Sequence, residues 1–359
     1  MKKIFFVLTL ACCMVFVFGC NGGNQVPNTN PSSPTTNSTS PANGGTQTST
    51  AKPVLIKVGS VGPESGDLIA DGVQKFKKYV EEQSDGRIVV ELYTGGVLGG
   101  DTDMSEQMST GLLEMALPSC SSLAMYDERI GIPDMNFLFT STEAAEQAVN
   151  GELGDFIRGL LEERNISYVP GTIVCNEKLF LMNNVRPIVT PEDLKGLKIR
   201  TQTANHHVVA FKRMGANATP MSFGELFTAC QNGTVDGTVN NPSLASVMGF
   251  AEVLKYGTDL NQIYSCGAIF FCKSWYDGLD TDIRQIVKDG LEYAANWQRQ
   301  MRDEYYTNAF KMMEDAGLQM TYLTDEQRAA FRQVALPYFD EYIQKWGQNI
   351  FDMAWKYNN

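Results

Sequence analysis

The sequence predicts an α/β fold of two lobes with a cleft between them. Residues 54–61 and 88–93 are apolar, β-branched runs typical of strands, and Val73, Phe76 and Val80 recur between them at helical spacing. A strand, a helix and another strand in this order indicate a parallel sheet. About 308 of the 359 residues follow the first 51, and a chain of that length is enough for two lobes rather than one core.

A long helix is expected to join the two lobes. A helical pattern without proline runs over residues 281–316, and 36 helical residues would extend roughly 54 Å. Because this length exceeds one lobe, we expect the helix to run along the back of both, with Gly290 as the position where it could bend. Other helix starts are marked at Thr190, Ser222 and Thr324 by a hydroxyl followed three residues later by an acid or glutamine.

The N-terminus has the layout of a secretory signal peptide. Two lysines precede a mostly apolar run over residues 4–18, and Gly19 and Cys20 follow directly. This run is shorter than the roughly 20 apolar residues that a membrane-spanning helix needs. Because the segment resembles a bacterial lipobox, we predict a signal peptide over residues 1–19 and a lipid on Cys20. The alternative is an ordinary secreted protein in which Cys20 is a free or disulfide-bonded thiol.

Residues 20–51 are predicted to form a flexible linker. Beyond Cys20 they are mainly Asn, Gly, Thr, Ser, Pro and Gln, with no charged residue and too few large apolar groups to offset the entropy of ordering. A receptor held at a membrane by a lipid needs such a linker. We therefore expect the folded part to be extracytoplasmic, either in a periplasm or on the outer face of the cytoplasmic membrane.

The chain is strongly acidic. It carries 29 Lys and Arg against 41 Asp and Glu, a formal net charge of −12, and loss of the two lysines of the signal peptide leaves −14 (27 − 41). A nucleic acid partner would require an excess of Lys and Arg to neutralise its phosphates, so we expect none. An anionic ligand would have to be held by a local cation.

Five cysteines lie beyond the predicted lipid site: Cys120, Cys175, Cys230, Cys266 and Cys272. None are spaced as CxxC, and an odd number cannot pair completely. We interpret them as small buried apolar residues, with a bridge from Cys266 to Cys272 left open.

No motif for metal binding or catalysis is apparent. His206 and His207 are adjacent, so they lack the helical spacing of a two-histidine metal site and are expected at the surface or the cleft edge. The glycine-rich run over residues 94–101 lacks the Lys-Ser/Thr of a phosphate loop and is predicted to be a turn. We expect no metal, no cofactor and no enzymatic activity.

Four segments together carry a resemblance to a known family. VLGGDTDMSEQMSTG at 97–111, PDMNFLF at 133–139, VTPEDLKGLKIR at 189–200 and GANATPMSFGELFTACQNGTVDG at 215–237 resemble the DctP-type solute-binding subunits of tripartite ATP-independent periplasmic (TRAP) transporters. Similarity in order and spacing extends over residues 54–315. The resemblance implies a periplasmic-binding-protein-like fold that closes on a small organic acid, a long helix across both lobes, and delivery of the ligand to the TRAP membrane permease subunits.

The resemblance also implies where the ligand binds. Arg200 ends the family's LKIR motif and is expected to grip a carboxylate, because a planar guanidinium offers two parallel N–H donors that Lys cannot match. The alternative is an arginine paired with a carboxylate of the protein itself.

Asn240 and Asn241 match the family's asparagine segment, and either orient the ligand or cap a turn. Gln202, on the same strand face as Arg200, is a second polar contact, and Tyr264 either lines the cleft or packs in the core.

Further candidate residues lie in the loop after the first predicted strand and at a position where this sequence differs from the family. Glu64, Ser65 and Asp67 lie in the loop after the first strand, which reaches the ligand in the family. Phe180 stands where many relatives carry another arginine, so a monocarboxylate with an apolar portion is favoured over a C4-dicarboxylate. If Glu64 or Asp67 instead pairs with a ligand ammonium, an amino acid is expected.

The predicted lobes are discontinuous in sequence. Lobe I comprises residues 52–177 plus 267–300, and lobe II comprises residues 178–266 plus 301–359. The predicted function is capture of a small organic carboxylate by a TRAP-type, lipid-anchored binding protein. Two alternatives are a sensory receptor that presents its ligand to a kinase and a lipid-anchored secreted hydrolase.

Overall fold

The computed structural model describes residues 52–358. The predicted signal peptide over 1–19 and the linker over 20–51, with the lipid site Cys20, lie outside the described residues. Within the described range, no helix is long and apolar enough to cross a membrane.

The described chain is a mixed α/β structure of strands and helices. The strands are β1 (Val54–Gly59), β2 (Ile88–Tyr93), β3 (Met115–Ala116), β4 (Ile166–Ser167), β5 (Val174–Lys178), β6 (Phe180–Asn183), β7 (Lys198–Thr201), β8 (Asn217–Pro220), β9 (Gly237–Asn240), β10 (Tyr256–Thr258), β11 (Tyr264–Gly267), β12 (Phe270–Cys272) and β13 (Gln319–Thr321). The helices are α1 (Leu68–Gln83), α2 (Asp101–Thr110), α3 (Cys120–Leu123), α4 (Thr142–Val149), α5 (Glu152–Glu162), α6 (Asn205–Arg213), α7 (Phe223–Gln231), α8 (Pro242–Val247), α9 (Lys273–Asp277), α10 (Thr281–Asp315), α11 (Asp325–Ala335), α12 (Tyr338–Trp346) and α13 (Gln348–Trp355). Short 3₁₀ turns occur at Glu128–Asp134, Pro191–Leu194 and Phe250–Glu252.

Two sheets form the centres of two lobes. The first lobe is built on a five-stranded sheet in the order β2-β1-β3-β12-β4, in which β1 pairs in parallel with both β2 and β3. The predicted parallel strand–helix–strand unit is therefore confirmed as β1, α1 and β2. The second lobe is built on a six-stranded sheet in the order β13-β10-β6-β9-β7-β8, with β7 parallel to β8 and β9.

Two strands carry the chain between the lobes. The chain leaves the first sheet after β4, passes through β5 and enters the second sheet at β6, and it returns through β11 to β12. β5 and β11 pair with each other antiparallel as a separate two-stranded sheet, with a register shift between Tyr264 and Cys266. These two strands are called the connecting strands hereafter.

The long helix spans both lobes as expected. The N-terminal part of α10 packs Val287 and Leu291 into the core of the first lobe, and its C-terminal part packs Phe310 and Met313 into a core of the second. Gly290 permits the close contact of α10 with α1, because a Cβ there would lie 2.5 Å from Cγ1 of Val80.

The C-terminal segment differs from the predicted lobe boundary. The prediction placed 301–359 in the second lobe, but the side chains of α12 and α13 are buried in the same core as α5 of the first lobe. Hydrogen bonds fix this position: Tyr338 donates its hydroxyl to the backbone oxygen of Asn136 at 2.8 Å, and Asn358 Nδ2 donates to the backbone oxygen of Leu138 at 2.7 Å. The amphipathic pattern of these helices shows that they pack on a core, but not on which one.

Capping side chains start the helices where the sequence indicated. Thr324 and Gln327 form the expected capping box of α11, and Ser222 directly precedes α7, where its hydroxyl bonds Glu225. Thr190 is the N-cap of a 3₁₀ turn rather than of an α-helix.

Candidate functional site

A cavity of about 190 Å³ lies between the two sheets. It is smaller than the roughly 300–1,000 Å³ of pockets that hold drug-sized molecules, which indicates a small ligand. Its lining comes from both lobes and from the connecting strands. The polar and charged side chains of the lining are Asp101, Thr102, Asp103, Ser119, Ser122, Asn176, Arg200, Gln202, Thr203, Ser222, Asn240, Asn241, Ser265 and Gln298.

The topology explains why these residues meet. Arg200 and Gln202 lie at the carboxyl end of β7, Asn240 and Asn241 at the carboxyl end of β9, and Ser119 shortly after β3. Ligands of α/β sheets bind in the crevice outside the carboxyl ends of the parallel strands. Here the strand ends of both lobes border the same cavity.

Arg200 is held in place by the protein but is not neutralised by it. Its side chain is 4 % exposed, and Nε and Nη2 both donate to the backbone oxygen of Met221, at 3.0 and 2.8 Å. No salt bridge to Arg200 occurs among the described residues, so the alternative of an internal ion pair is not observed in residues 52–358. A guanidinium has five N–H donors, and the three that remain include both on Nη1. Burial lowers the pKa of Arg200 to about 10, so it is a cation at neutral pH.

Asp101 is the acidic group whose charge acts on Arg200. It begins α2, and Oδ2 accepts from the hydroxyl of Ser122 at 2.9 Å. Burial raises the pKa of Asp101, and the hydrogen bond from Ser122 and the positive charge of Arg200 oppose that rise. Oδ1 is buried without a hydrogen-bond partner in residues 52–358. The cavity therefore presents a cation and an acceptor of hydrogen bonds together.

Three side-chain amides of the lining carry unpaired polar atoms. Asn176 Oδ1, Gln202 Oε1 and Asn240 Nδ2 are buried and have no hydrogen-bond partner in the described part of the chain. Asn240 Oδ1 accepts from the backbone N–H of Asn241, and Asn241 Nδ2 donates to the backbone oxygen of Glu177. Because an unpaired buried polar group is costly, these atoms are suited to hydrogen bonds with a bound ligand.

Phe180 and Tyr264 do not line the cavity: this is contrary to the predicted role of Phe180, whereas Tyr264 takes the core position that was its alternative. Phe180 is fully buried and packs edge-on against Phe310 of α10, with ring centroids 5.1 Å apart. Tyr264 is buried in the first-lobe core, where its ring lies edge-on to Phe139 at 6.4 Å. The prediction that an apolar portion of the ligand faces Phe180 is therefore wrong.

The loop after β1 also lies outside the lining at the predicted positions. Glu64 and Ser65 are exposed, whereas Asp67 is buried and caps α1 by accepting from the backbone N–H of Ile69 and Ala70 at 2.8 and 3.1 Å. Asp67 is thus committed to the helix start. Of the predicted site residues, the structure brings together Arg200, Gln202, Asn240 and Asn241 and not Glu64, Ser65, Asp67, Phe180 or Tyr264.

Sequence reasoning missed the acidic and amide groups of the first half of the chain. Asp101 directly follows the glycine-rich turn, which the structure confirms as a turn with Gly95, Gly96 and Gly99 at positive φ. A signal for Asp101 was present, since it lies in one of the segments that carry the family resemblance. Asn176 had no such signal, because its position on a connecting strand is visible only in the folded chain.

The histidines are core residues rather than surface residues. His206 and His207 are 2 % and 1 % exposed, and burial lowers the pKa of both. His207 Nε2 lies 2.8 Å from the hydroxyl of Ser121, which donates to Asp134 Oδ2. Ser121 therefore lies between Asp134 and His207, whereas in a catalytic triad the histidine lies between the aspartate and the serine.

A second buried carboxyl group lies next to the cavity. Glu177 accepts hydrogen bonds from the backbone N–H and the hydroxyl of Ser243, at the start of α8. Burial raises the pKa of Glu177 to about 8 and that of Asp67 to about 6; repulsion from Asp67 adds to the rise in the pKa of Glu177, and repulsion from Asp71 to that of Asp67. Ser243 joins the lobes here, because its hydroxyl also lies 3.4 Å from the backbone N–H of Leu68.

Proteins of known character are similar to this chain over most of its length. A C4-dicarboxylate-binding periplasmic protein DctP of Rhodobacter capsulatus is 29% identical over 300 residues, 83% of this chain and 89% of the relative. The 2,3-diketo-L-gulonate-binding periplasmic protein YiaO of Escherichia coli K12 is 28% identical over 258 residues, 72% of this chain and 77% of the relative.

A solved structure shows the same two-lobed fold. The sugar acid binding protein DctPAm of Advenella mimigardefordensis, in complex with galactonate, superposes with a TM-score of 0.80 at 25% identity, over 85% of this chain and 99% of that one. The family model of the DctP group matches residues 59–345, which include the cavity and every strand of the two sheets except β1. The chain therefore belongs to the bacterial extracellular solute-binding proteins of family 7.

Proposed function

We propose that this protein captures a small hydroxylated monocarboxylate outside the cytoplasmic membrane and delivers it to TRAP membrane permease subunits. One observation carries the proposal: Arg200 is the single Lys or Arg among the described residues that line the cavity, and its charge interacts with that of Asp101. The function is transport without catalysis.

One carboxylate matches the donors of the site. The free N–H groups of Arg200 and Nδ2 of Asn240 can donate to its two oxygens, and charge-assisted hydrogen bonds of this kind are the strong ones. A second carboxylate would lose hydration in a cavity whose other ionisable groups are Asp101 and Asp103. A dicarboxylate is therefore disfavoured, for a reason that does not involve Phe180.

Hydroxyl groups match the acceptors of the site. Asp101 Oδ1, Asn176 Oδ1 and Gln202 Oε1 lack donors in residues 52–358, and each can accept from a ligand hydroxyl. Among the similar proteins, one is named for 2,3-diketo-L-gulonate and one is a sugar acid binding protein in complex with galactonate, ligands that combine one carboxylate with hydroxyls, whereas several are named for C4-dicarboxylates. The relatives thus include both classes, and the charge of the cavity favours the first.

A ligand screen by thermal unfolding tests the ligand class. A ligand that binds only the folded state raises the unfolding free energy by RT ln(1 + [L]/Kd), about 2.7 kcal/mol at a hundredfold excess over Kd. We expect hydroxylated monocarboxylates such as galactonate to raise the melting temperature more than succinate, malate or fumarate. The uncharged sugar alcohol of the same carbon skeleton is the control for the carboxylate and should give no shift.

Two other results would contradict the assignment. If a dicarboxylate raised the melting temperature most, a second cation would have to reach the ligand. If an amino acid raised it most, Asp101 would pair with the ammonium group of the ligand. Mass spectrometry of ligand recovered after incubation also separates binding from hydrolysis, because a transport protein returns the ligand unchanged.

We further propose that the chain is anchored by a lipid on Cys20. The proposal rests on the apolar run, Gly19-Cys20 and the uncharged linker. A single acyl chain gives marginal membrane binding, whereas the several chains of a mature bacterial lipoprotein hold firmly. We expect Cys20→Ala to release the protein from the membrane fraction or to leave it unprocessed, while Cys230→Ala, a buried thiol of the second lobe, stays membrane-bound. A wild-type protein found wholly in the soluble fraction without lipid would contradict the anchor.

A further inference from the structure

Two cysteines face each other across the connecting strands. Cys175 of β5 and Cys266 of β11 are direct register partners in an antiparallel pair, and their sulfur atoms lie 2.6 Å apart. Directly opposed residues of antiparallel strands have Cα atoms about 4.5–5.5 Å apart, within the roughly 4.4–6.8 Å of disulfides. The backbone of these strands therefore allows a disulfide bond without rearrangement.

The other three cysteines of the described chain are placed differently. Cys272, considered from sequence as a partner of Cys266, lies at the end of β12, where its sulfur contacts Ser274 Oγ at 3.3 Å and Asn165 Nδ2 at 3.4 Å. Cys120 is buried in the first-lobe core and Cys230 in the second-lobe core. The cysteine directly opposite Cys266 is therefore Cys175 and not Cys272.

The surroundings hold the two cysteines in register. The backbone N–H of Cys175 donates to Glu146 Oε1 at 2.9 Å, and its backbone oxygen accepts from Arg302 of α10 at 2.8 Å. The backbone N–H of Cys266 donates to Asp134 Oδ1 at 2.9 Å. Side chains of α4, of α10 and of the 3₁₀ turn that ends at Asp134 thus hold the backbone of both cysteines, which keeps the two residues opposite each other.

We propose that Cys175 and Cys266 form a disulfide that ties the two connecting strands together. Disulfides form and persist in extracytoplasmic compartments, where members of this family are found. In the reaction both thiols are oxidised: one S–S bond forms, two protons leave, and two electrons reduce the disulfide of a protein thiol–disulfide exchange partner to two thiols. Because both cysteines are fully buried, the exchange takes place before the first-lobe core closes over them.

The bond has a consequence for the site. Cys266 itself borders the cavity, and Asn176 and Ser265, its lining neighbours, are adjacent to the two cysteines in sequence. A covalent link at this position fixes the register of β5 against β11 next to the shift between Tyr264 and Cys266. The lobes then close by rotation about the linked strands and not by sliding of one strand along the other.

Peptide mapping of the full-length protein, exported and purified without reductant, tests the bond directly. After alkylation under denaturing conditions, trypsin leaves Cys175 in the peptide 165–178, and both Cys266 and Cys272 in the peptide 256–273. We expect these two peptides as one linked species that carries a single alkyl group, on Cys272, and separates on reduction. Fully alkylated separate peptides, or a bridge within 256–273 beside an alkylated 165–178, would each overturn the proposal.

A second measurement does not depend on peptide recovery. We expect wild-type protein that is unfolded and refolded in a thiol reductant, which reaches this buried pair only in the unfolded chain, to melt about 5 °C or more below protein kept without reductant, because reduction releases the unfolded chain from a long closed loop. The double variant Cys175→Ala/Cys266→Ala should show no response to the reductant, and Cys272→Ala, another buried cysteine, should respond like the wild type. An equal response in the double variant would overturn the assignment to this pair, as would no response in the wild type.

Discussion

We expect Arg200→Ala to weaken ligand binding by at least about 100-fold. Removing one partner of a buried, hydrogen-bonded charge pair costs roughly 2 to 5 kcal/mol, and about 2.7 kcal/mol corresponds to a factor of 100 in Kd. No other Lys or Arg lines the cavity within residues 52–358, so no neighbouring cation can replace the lost one. Isothermal titration calorimetry with the acid found in the ligand screen measures the effect.

Arg200→Lys separates geometry from charge. We expect it to lose about 10-fold or more in affinity although the charge is kept, because an ammonium cannot donate to Met221 from one edge and to a carboxylate from another, as a planar guanidinium can. Arg186→Lys is the matched control. Arg186 also donates Nε and Nη2 to backbone oxygens, those of Asp193 and Lys195, but it does not line the cavity.

The control distinguishes binding from folding. Both arginine-to-lysine variants should lose similar amounts of stability, since each loses two hydrogen bonds to backbone oxygens, and only Arg200→Lys should lose affinity. Unchanged affinity in a folded Arg200→Ala variant would show that Arg200 has a structural role alone. The family assignment would stand, but the proposed carboxylate site would not.

We expect Glu177→Gln to make the protein more stable at pH 8 and to remove part of its pH dependence. The folded state holds a proton on Glu177 up to a pKa of about 8, against 4.5 for the exposed group, because burial disfavours the carboxylate. A pKa that is raised in the folded state contributes stability that is complete below pH 4.5 and is lost as the pH rises to about 8. At about 1.36 kcal/mol per pH unit, the loss is on the order of 4 kcal/mol.

Glutamine avoids this loss because it is neutral at every pH and nearly isosteric with the protonated acid. The difference in unfolding free energy between variant and wild type should be near zero at pH 4.5 and should grow up to pH 8, in denaturant titrations at a series of pH values. Glu64→Gln, at an exposed position, is the control and should show no such growth. A constant difference across this range would mean that Glu177 is ionised in the folded protein.

The sequence by itself determined the broad architecture. Apolar periodicity predicted β1 and β2 at nearly their observed bounds and a helix between them, because a strand and a helix bury residues at different spacings that remain readable in one dimension. The uninterrupted helical pattern predicted α10, which the structure bounds at Thr281–Asp315. The LKIR motif also led to Arg200, which the structure places in the cavity between the lobes.

Only the tertiary structure decided which residues share a space. Phe180 lies on β6 directly opposite Asn240 of β9, yet its ring is covered by Phe310, which is 130 positions further along the chain. Cys175 and Cys266 are 91 positions apart and meet because the chain crosses between the lobes twice through paired strands. Periodicity reports whether a side chain is buried but not against what, since its partners come from distant segments that the fold alone brings together.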